Sequence, residues 1–186
     1  MKIKEIFKLL AVYAVLFIAG SLMYVLGMRS GILNGISVFF YRGIIAIIIA
    51  GIVISGIMIT LKATKMKKII TVRDILLLFC AFCCIHVVIF THLPVTADRS
   101  VSVFMLGYMD RKGSECTKQE LEDVFVEKYV KEYEAFDKRL FEQIYTGTVE
   151  RTGEDGYIIT DSGRRIIGIY RVVTEWFNLD NKLVSP

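Results

Sequence analysis

The sequence predicts a membrane all-α half of three transmembrane helices, followed by a small α+β domain of winged-helix-like order. Three observations predict it. The first 93 residues hold three long apolar runs, the charge changes sign between the halves, and hydropathy turns from continuous to periodic after Pro94. Ten basic and two acidic residues precede Pro94, a charge of +8; thirteen and seventeen from Pro94 onward give −4. The overall +4 therefore averages two regions of opposite sign.

The first apolar run, Leu9 to Met28, has twenty residues without a charge. At about 1.5 Å per residue it covers the roughly 30 Å hydrocarbon core of a bilayer. Lys2, Lys4 and Lys8 give it a signal-peptide-like start, but the run outlasts a signal h-region and no convincing small-x-small cleavage site follows before Arg29, so it reads as an uncleaved span. The second span is Gly43–Leu61, in which Gly51 and Ser55 lie four residues apart and share a face suited to close helix packing. The third is Ile75 to Leu93. It contains His86, whose imidazole in an apolar helix is expected to face a neighbouring helix. Cys80, Cys83 and Cys84 in this span read as small hydrophobes.

Connector charge predicts orientation. Lys2, Lys4, Lys8 and the loop residues Lys62, Lys65, Lys67, Lys68 and Arg73 lie on one side, against Arg29 and Arg42 on the other, with Arg99 past the last span. The positive-inside rule puts the N-terminus in the cytoplasm. Three spans then carry the C-terminal domain outside a cell inner (plasma) membrane.

Residues 94–100 read as a hinge between membrane and domain. Pro94 is expected to stop the third span, and Asp98, Arg99 and Ser100 to cap the next helix. With His92 and Thr96 they form the candidate partner or lipid contact, because hydrogen-bonding groups crowd beside the bilayer.

From 101 to 186 a folded domain is predicted. A helix with Val101, Phe104, Met105 and Tyr108 on one face ends at Lys112-Gly113-Ser114. Thr117 and Glu120 form a capping box for a second helix carrying Leu121, Val124 and Phe125. A third, Glu132–Tyr145, points Phe136, Leu140 and Ile144 inward. Val149-Glu150-Arg151 and Tyr157-Ile158-Ile159-Thr160 form a hairpin around Gly153–Gly156. Thr160 or Asp161 caps a last helix with Ile166, Ile167, Tyr170, Val173 and Phe177 inward, and 178–186 are expected to fray.

The stretch Gly147-Thr148-Val149-Glu150-Arg151, followed by Gly156-Tyr157-Ile158-Ile159-Thr160-Asp161-Ser162-Gly163, resembles the wing of the MarR and PadR-like regulators. That resemblance covers about residues 99–177 and implies a winged-helix domain whose third helix would enter the DNA major groove. The residues argue against DNA. Glu132–Tyr145 holds four acids against Lys138 and Arg139, the turn carries Glu150, Glu154 and Asp155 against Arg151, and phosphate contacts need cations.

Enzyme signatures are absent: the sequence has no Gly-rich phosphate loop, His-Glu-x-x-His, Gly-x-Ser-x-Gly or Cys/His metal spacing. No catalytic residue, cofactor or metal is predicted. The expected role is a non-catalytic accessory subunit, with a larger membrane protein or a second copy as partner. The design also resembles small proteins encoded beside bacterial polysaccharide glycosyltransferases, which implies a membrane-embedded glycan-synthesis enzyme as the partner. The alternative is a membrane-tethered winged-helix transcription regulator.

Overall fold

The structure, a computed structural model, describes residues 3–186. Lys2 of the N-terminal basic cluster lies outside them. The chain divides into two compact units, Met1–Val103 and Phe104–Pro186.

In the first unit the three apolar runs are the centres of longer helices: α1 (Ile3–Arg29), α2 (Phe39–Thr64) and α3 (Val72–His92). All three are long and apolar enough to cross a membrane, compatible with a multi-pass membrane protein. Helix α2 packs on both α1 and α3, and those two also touch. The buried core is the seam between them, with Ile47, Ile54, Met58, Leu78, Phe82 and Phe90 nearly inaccessible. Outward residues such as Ile18, Leu22, Ile52 and Leu76 stay exposed, as helices immersed in lipid require.

Close approach depends on missing side chains. A Cβ at Gly20 would lie 2.8 Å from Phe82 Cε2 and 2.9 Å from Ile54 Cγ2. All three helices therefore converge where α1 has no side chain. Two polar links join α1 to α3 in the same region. His86 Nε2 sits 2.9 Å from Ser21 Oγ, while its ring stacks on Phe82 at 4.0 Å. Near the other end the Tyr13 hydroxyl donates to the Asp74 carbonyl at 2.7 Å. Asp74 also closes a capping box with Thr71: the Thr71 amide and hydroxyl both donate to Asp74 Oδ2, at 2.7 and 2.6 Å.

The segment read as a hinge is helical instead. After Leu93, α4 (Pro94–Arg99) begins with proline at its first turn, where the missing N–H costs least. Ser100 is extended and its hydroxyl oxygen accepts the Val103 amide at 3.2 Å, capping α5 (Val101–Lys112).

The second unit runs from Phe104. Helix α6 (Lys118–Val124) is capped by Thr117, whose hydroxyl accepts the Glu120 amide at 3.2 Å. It widens into a π-helix over Phe125–Glu132, which the sequence did not predict. Glu134 then takes a left-handed conformation (φ 50°), so the third helix, α7 (Ala135–Tyr145), begins three residues later than periodicity places it. Strands β1 (Val149–Thr152) and β2 (Gly156–Ile159) form the expected antiparallel hairpin, Val149 opposite Ile159. Thr160 caps α8 (Asp161–Trp176), its hydroxyl accepting the Gly163 amide. Instead of fraying throughout, 178–186 includes a short 3-10 turn at Asn181–Leu183.

Gly20→Val is expected to cost about 1–3 kcal/mol by overpacking. At Gly56, where an added Cβ meets nothing within 4 Å, the same change should stay within about 0.5 kcal/mol. Unfolding of the full chain in micelles measures both, and equal effects would remove Gly20 from the centre of the bundle.

Candidate functional site

The buried side chains of the second unit are polar: Glu142, Thr148 and Thr174. Glu142 accepts an ion pair from Arg139 Nη1 at 2.6 Å, which offsets the desolvation of its carboxylate. The Thr148 hydroxyl meets the Gln143 carbonyl at 3.0 Å, tying the start of β1 to the end of α7. Helix α8 seats on this junction through Gly163, where a Cβ would press on the Thr148 carbonyl oxygen and lie 2.7 Å from Ile159 Cγ1. Thr174, one face further along α8, returns its hydroxyl to the Tyr170 carbonyl at 2.7 Å.

Of the apolar residues predicted inward, Phe104, Met105, Leu121, Val124, Phe125, Leu140, Ile167 and Val173 are half-buried. Among the described residues from Phe104 onward, no large apolar side chain is buried. The closest approach to a core is an aromatic cluster of half-buried rings: Phe104 against Tyr129 at 5.1 Å, and Tyr129 stacked on Phe125 at 5.4 Å. Helix α7 reverses the expected orientation. Its buried residue is Glu142, while Phe136 (63% exposed), Phe141 and Tyr145 face out and Ile144 is only marginally covered. Of the residues predicted inward on this helix only Leu140 is half-buried. On α8, Ile167 and Val173 are half-covered, but Ile166, Tyr170 and Phe177 are exposed. The reason is register: Glu142 and Thr174 pair or cap locally and so can be turned inward, and a helix that buries them must present its other face to the outside.

One polar cluster fixes α5 to α6. Lys112 Nζ lies 2.6 and 2.7 Å from the two Glu120 oxygens, and the Tyr108 hydroxyl donates to Glu120 Oε1 at 2.8 Å. Glu120 thus reaches across to α5 for its main partners, where the sequence pattern has it closing a box with Thr117. The Lys112 ammonium, then the Tyr108 hydroxyl, hold the Glu120 carboxyl below its usual range, and the same contact raises Lys112.

The residues singled out from sequence fall in the first unit and do not form one site. His92 is exposed and folds back on its own helix, Nδ1 2.9 Å from the Val88 carbonyl. Thr96 donates to the Thr91 carbonyl at 3.3 Å. Thr96 and Arg99 stand exposed on α4, with Asp98 half-buried between them and Ser100 serving the next helix. Gly51 faces Phe79 and Cys83 of α3, an added Cβ lying 3.0 and 3.2 Å away. The Ser55 hydroxyl is buried without a hydrogen-bond partner, and His86 meets Ser21. Ser21 and Tyr13, the α1 sides of the two polar links, escape sequence reasoning. Both are polar groups inside the first apolar run, which was the available signal. No grouping of three or more His, Cys, Asp or Glu side chains suited to a metal occurs among the described residues.

No protein-family model, curated protein or solved structure matches the chain. The surface therefore has to be interpreted from its own chemistry.

Glu120 supplies a pH test. Its folded pKa is depressed, so its contribution is present above the unfolded carboxyl value of about 4.3 and is lost as pH falls through the lower folded value. Glu120→Gln is expected to lower the melting temperature of the second unit at neutral pH, followed by the fluorescence of Trp176, the only tryptophan. The gap from the parent protein should narrow progressively as pH falls below the unfolded carboxyl value of about 4.3. A gap that persists in acid would mean the carboxylate charge is not what joins α5 to α6.

Proposed function

We propose that the chain is a non-catalytic accessory subunit of the plasma membrane, whose second unit is an interaction domain for a larger membrane protein. The observation that carries this reading is the set of exposed aromatic side chains on α7: Phe136, Phe141 and Tyr145 are each at least half exposed, and the Phe141 and Tyr145 rings lie 6.0 Å apart. Aromatic side chains in this number are the anchors of protein interfaces, and a soluble domain that had no partner would bury them. The α5 residues Leu106 and Met109 extend the same kind of surface. Connector charge favours a cytoplasmic N-terminus and 62–73 loop, so the second unit meets its partner outside. A membrane-embedded glycan-synthesis enzyme is the partner class that the overall design suggests.

Element order supports the winged-helix-like interpretation of this unit: three helices, a hairpin and a fourth helix follow one another over residues 101–176. That order also favours the second reading, a membrane-tethered transcription regulator. The surface of α7 speaks against it, because three exposed aromatics and a balanced set of charges offer no grip on phosphate.

Two measurements decide between them. The tagged full chain, extracted gently from its native membrane, is expected to carry a larger membrane protein in fixed ratio, and Phe136→Glu with Phe141→Glu should abolish that association while leaving the chain in the membrane. Recovery of the chain alone, or of a partner indifferent to these changes, counts against the accessory role. Cys116, half-buried in the loop before α6, should react with a membrane-impermeant thiol reagent in intact cells. Labelling only after permeabilisation would put the unit in the cytosol and favour the regulator.

A further inference from the structure

Helix α8 has an apolar face that the second unit does not use. Its buried residues, Gly163 and Thr174, mark the side packed on the hairpin junction. At 100° per residue, Ile166, Ile169, Val172 and Trp176, with the following Phe177, fall on a neighbouring arc, and Tyr170 lies between that arc and the packed side. Their exposures are 43, 63, 44, 80, 70 and 58% respectively. Three aromatic rings, each of roughly 150–250 Å² and more than half exposed, join three branched aliphatics. Together they carry the patch past the roughly 300–600 Å² usual for the largest on a soluble monomer.

Arg164, Arg171 and Glu175 lie on the arc opposite this patch, while Arg165 falls within the apolar arc, in line with Ile169, Val172 and Trp176 at the N-terminal end of the stripe. Within α8 three arginines face two acids, a charge of +1; the rest of Phe104–Pro186 has nine basic and fourteen acidic residues, −5. Helix α8 is thus net positive within an acidic unit and carries an exposed apolar face. A helix with one arginine-bearing polar face and one face of Trp, Phe and Ile is the pattern of a segment lying in the plane of the membrane–water interface. The aromatic rings suit the headgroup level, and Arg165, at the N-terminal end of the stripe, can run its aliphatic stem along the apolar surface and carry its guanidinium to lipid phosphate.

We infer that the outer face of α8 binds the phospholipid surface itself, with Ile169, Trp176 and Phe177 inserted at the acyl boundary and Arg165 at the phosphates. The tether is short: eleven residues separate His92, the end of the last long apolar helix, from Phe104. Lipid contact through α8 also leaves the α7 face open, so the two surfaces serve different partners.

Trp176, as the sole tryptophan, reports directly on this contact. The full chain is reconstituted into vesicles of phosphatidylethanolamine and phosphatidylglycerol, without any partner protein. Its emission is expected to be blue-shifted, to lose most of its intensity when brominated-acyl phospholipid is included, and to resist aqueous iodide. Ile169→Glu, on an exposed position, should reverse all three with helix content unchanged. Ready quenching by iodide with no effect of brominated lipid overturns the inference, as does shielding from both quenchers, which would mean that protein covers α8. Resistance of the chain to carbonate extraction reads the anchoring by α1–α3 separately, so failure at α8 is not confused with failure to insert.

Discussion

Three helices meeting at a glycine is the constraint on which the first unit rests. Lipid tails are as apolar as the helix surfaces, so burial of hydrocarbon gives little reason for helices to associate with one another in a bilayer. Close van der Waals contact and a few interhelical hydrogen bonds must do it. Gly20 allows Phe82 and Ile54 to approach the backbone of α1, and the Ser21–His86 bond forms immediately beside that contact. Tyr13 holding the Asp74 carbonyl repeats the device towards the start of α3. Phe82 connects the two kinds of interaction, being both the ring packed over Gly20 and the platform on which His86 stacks.

The second unit obeys the opposite rule. In water, an apolar face turned outward costs free energy in proportion to its area, roughly 25 cal/mol per Å². Here the polar groups Glu142, Thr148 and Thr174 occupy the interior, satisfied by an ion pair and by carbonyl hydrogen bonds, while aromatic rings of α7 and α8 line the exterior. Such a unit gains by covering those rings. The exposed aromatics of α7 suit protein, whereas the α8 face, which includes arginine, suits lipid. A domain placed between a membrane surface and a membrane protein would have use for both, and its stability would then depend on its surroundings.

Much of the local architecture was legible. The charge-free runs located the three long helices, because length and the absence of charge are sufficient for that inference. Thr117 and Thr160 announced the starts of α6 and α8, Gly113 the end of α5, and the paired β-rich segments around Gly153–Gly156 the hairpin. Other features depended on neighbours that are distant in sequence. Pro94 reads as a stop, yet it begins a new helical turn. Glu120 reads as half of a cap, yet Lys112 and Tyr108, eight and twelve residues earlier, compete for it more strongly. The π-helical turn, eight residues long, is too short to establish its own period in the apolar spacing.

Sequence by itself determined where helices and strands lie, which segments are apolar enough for a membrane, and how charge divides between the halves. Tertiary structure decided which way each amphipathic face points. Periodicity defines a stripe along a helix, but the stripe is the same whether it faces a core, a lipid or a partner. Only the packing of Gly163 on Thr148 and the inward ion pair of Glu142 fix the rotation of α8 and α7, and with it the apolar surface left for other molecules.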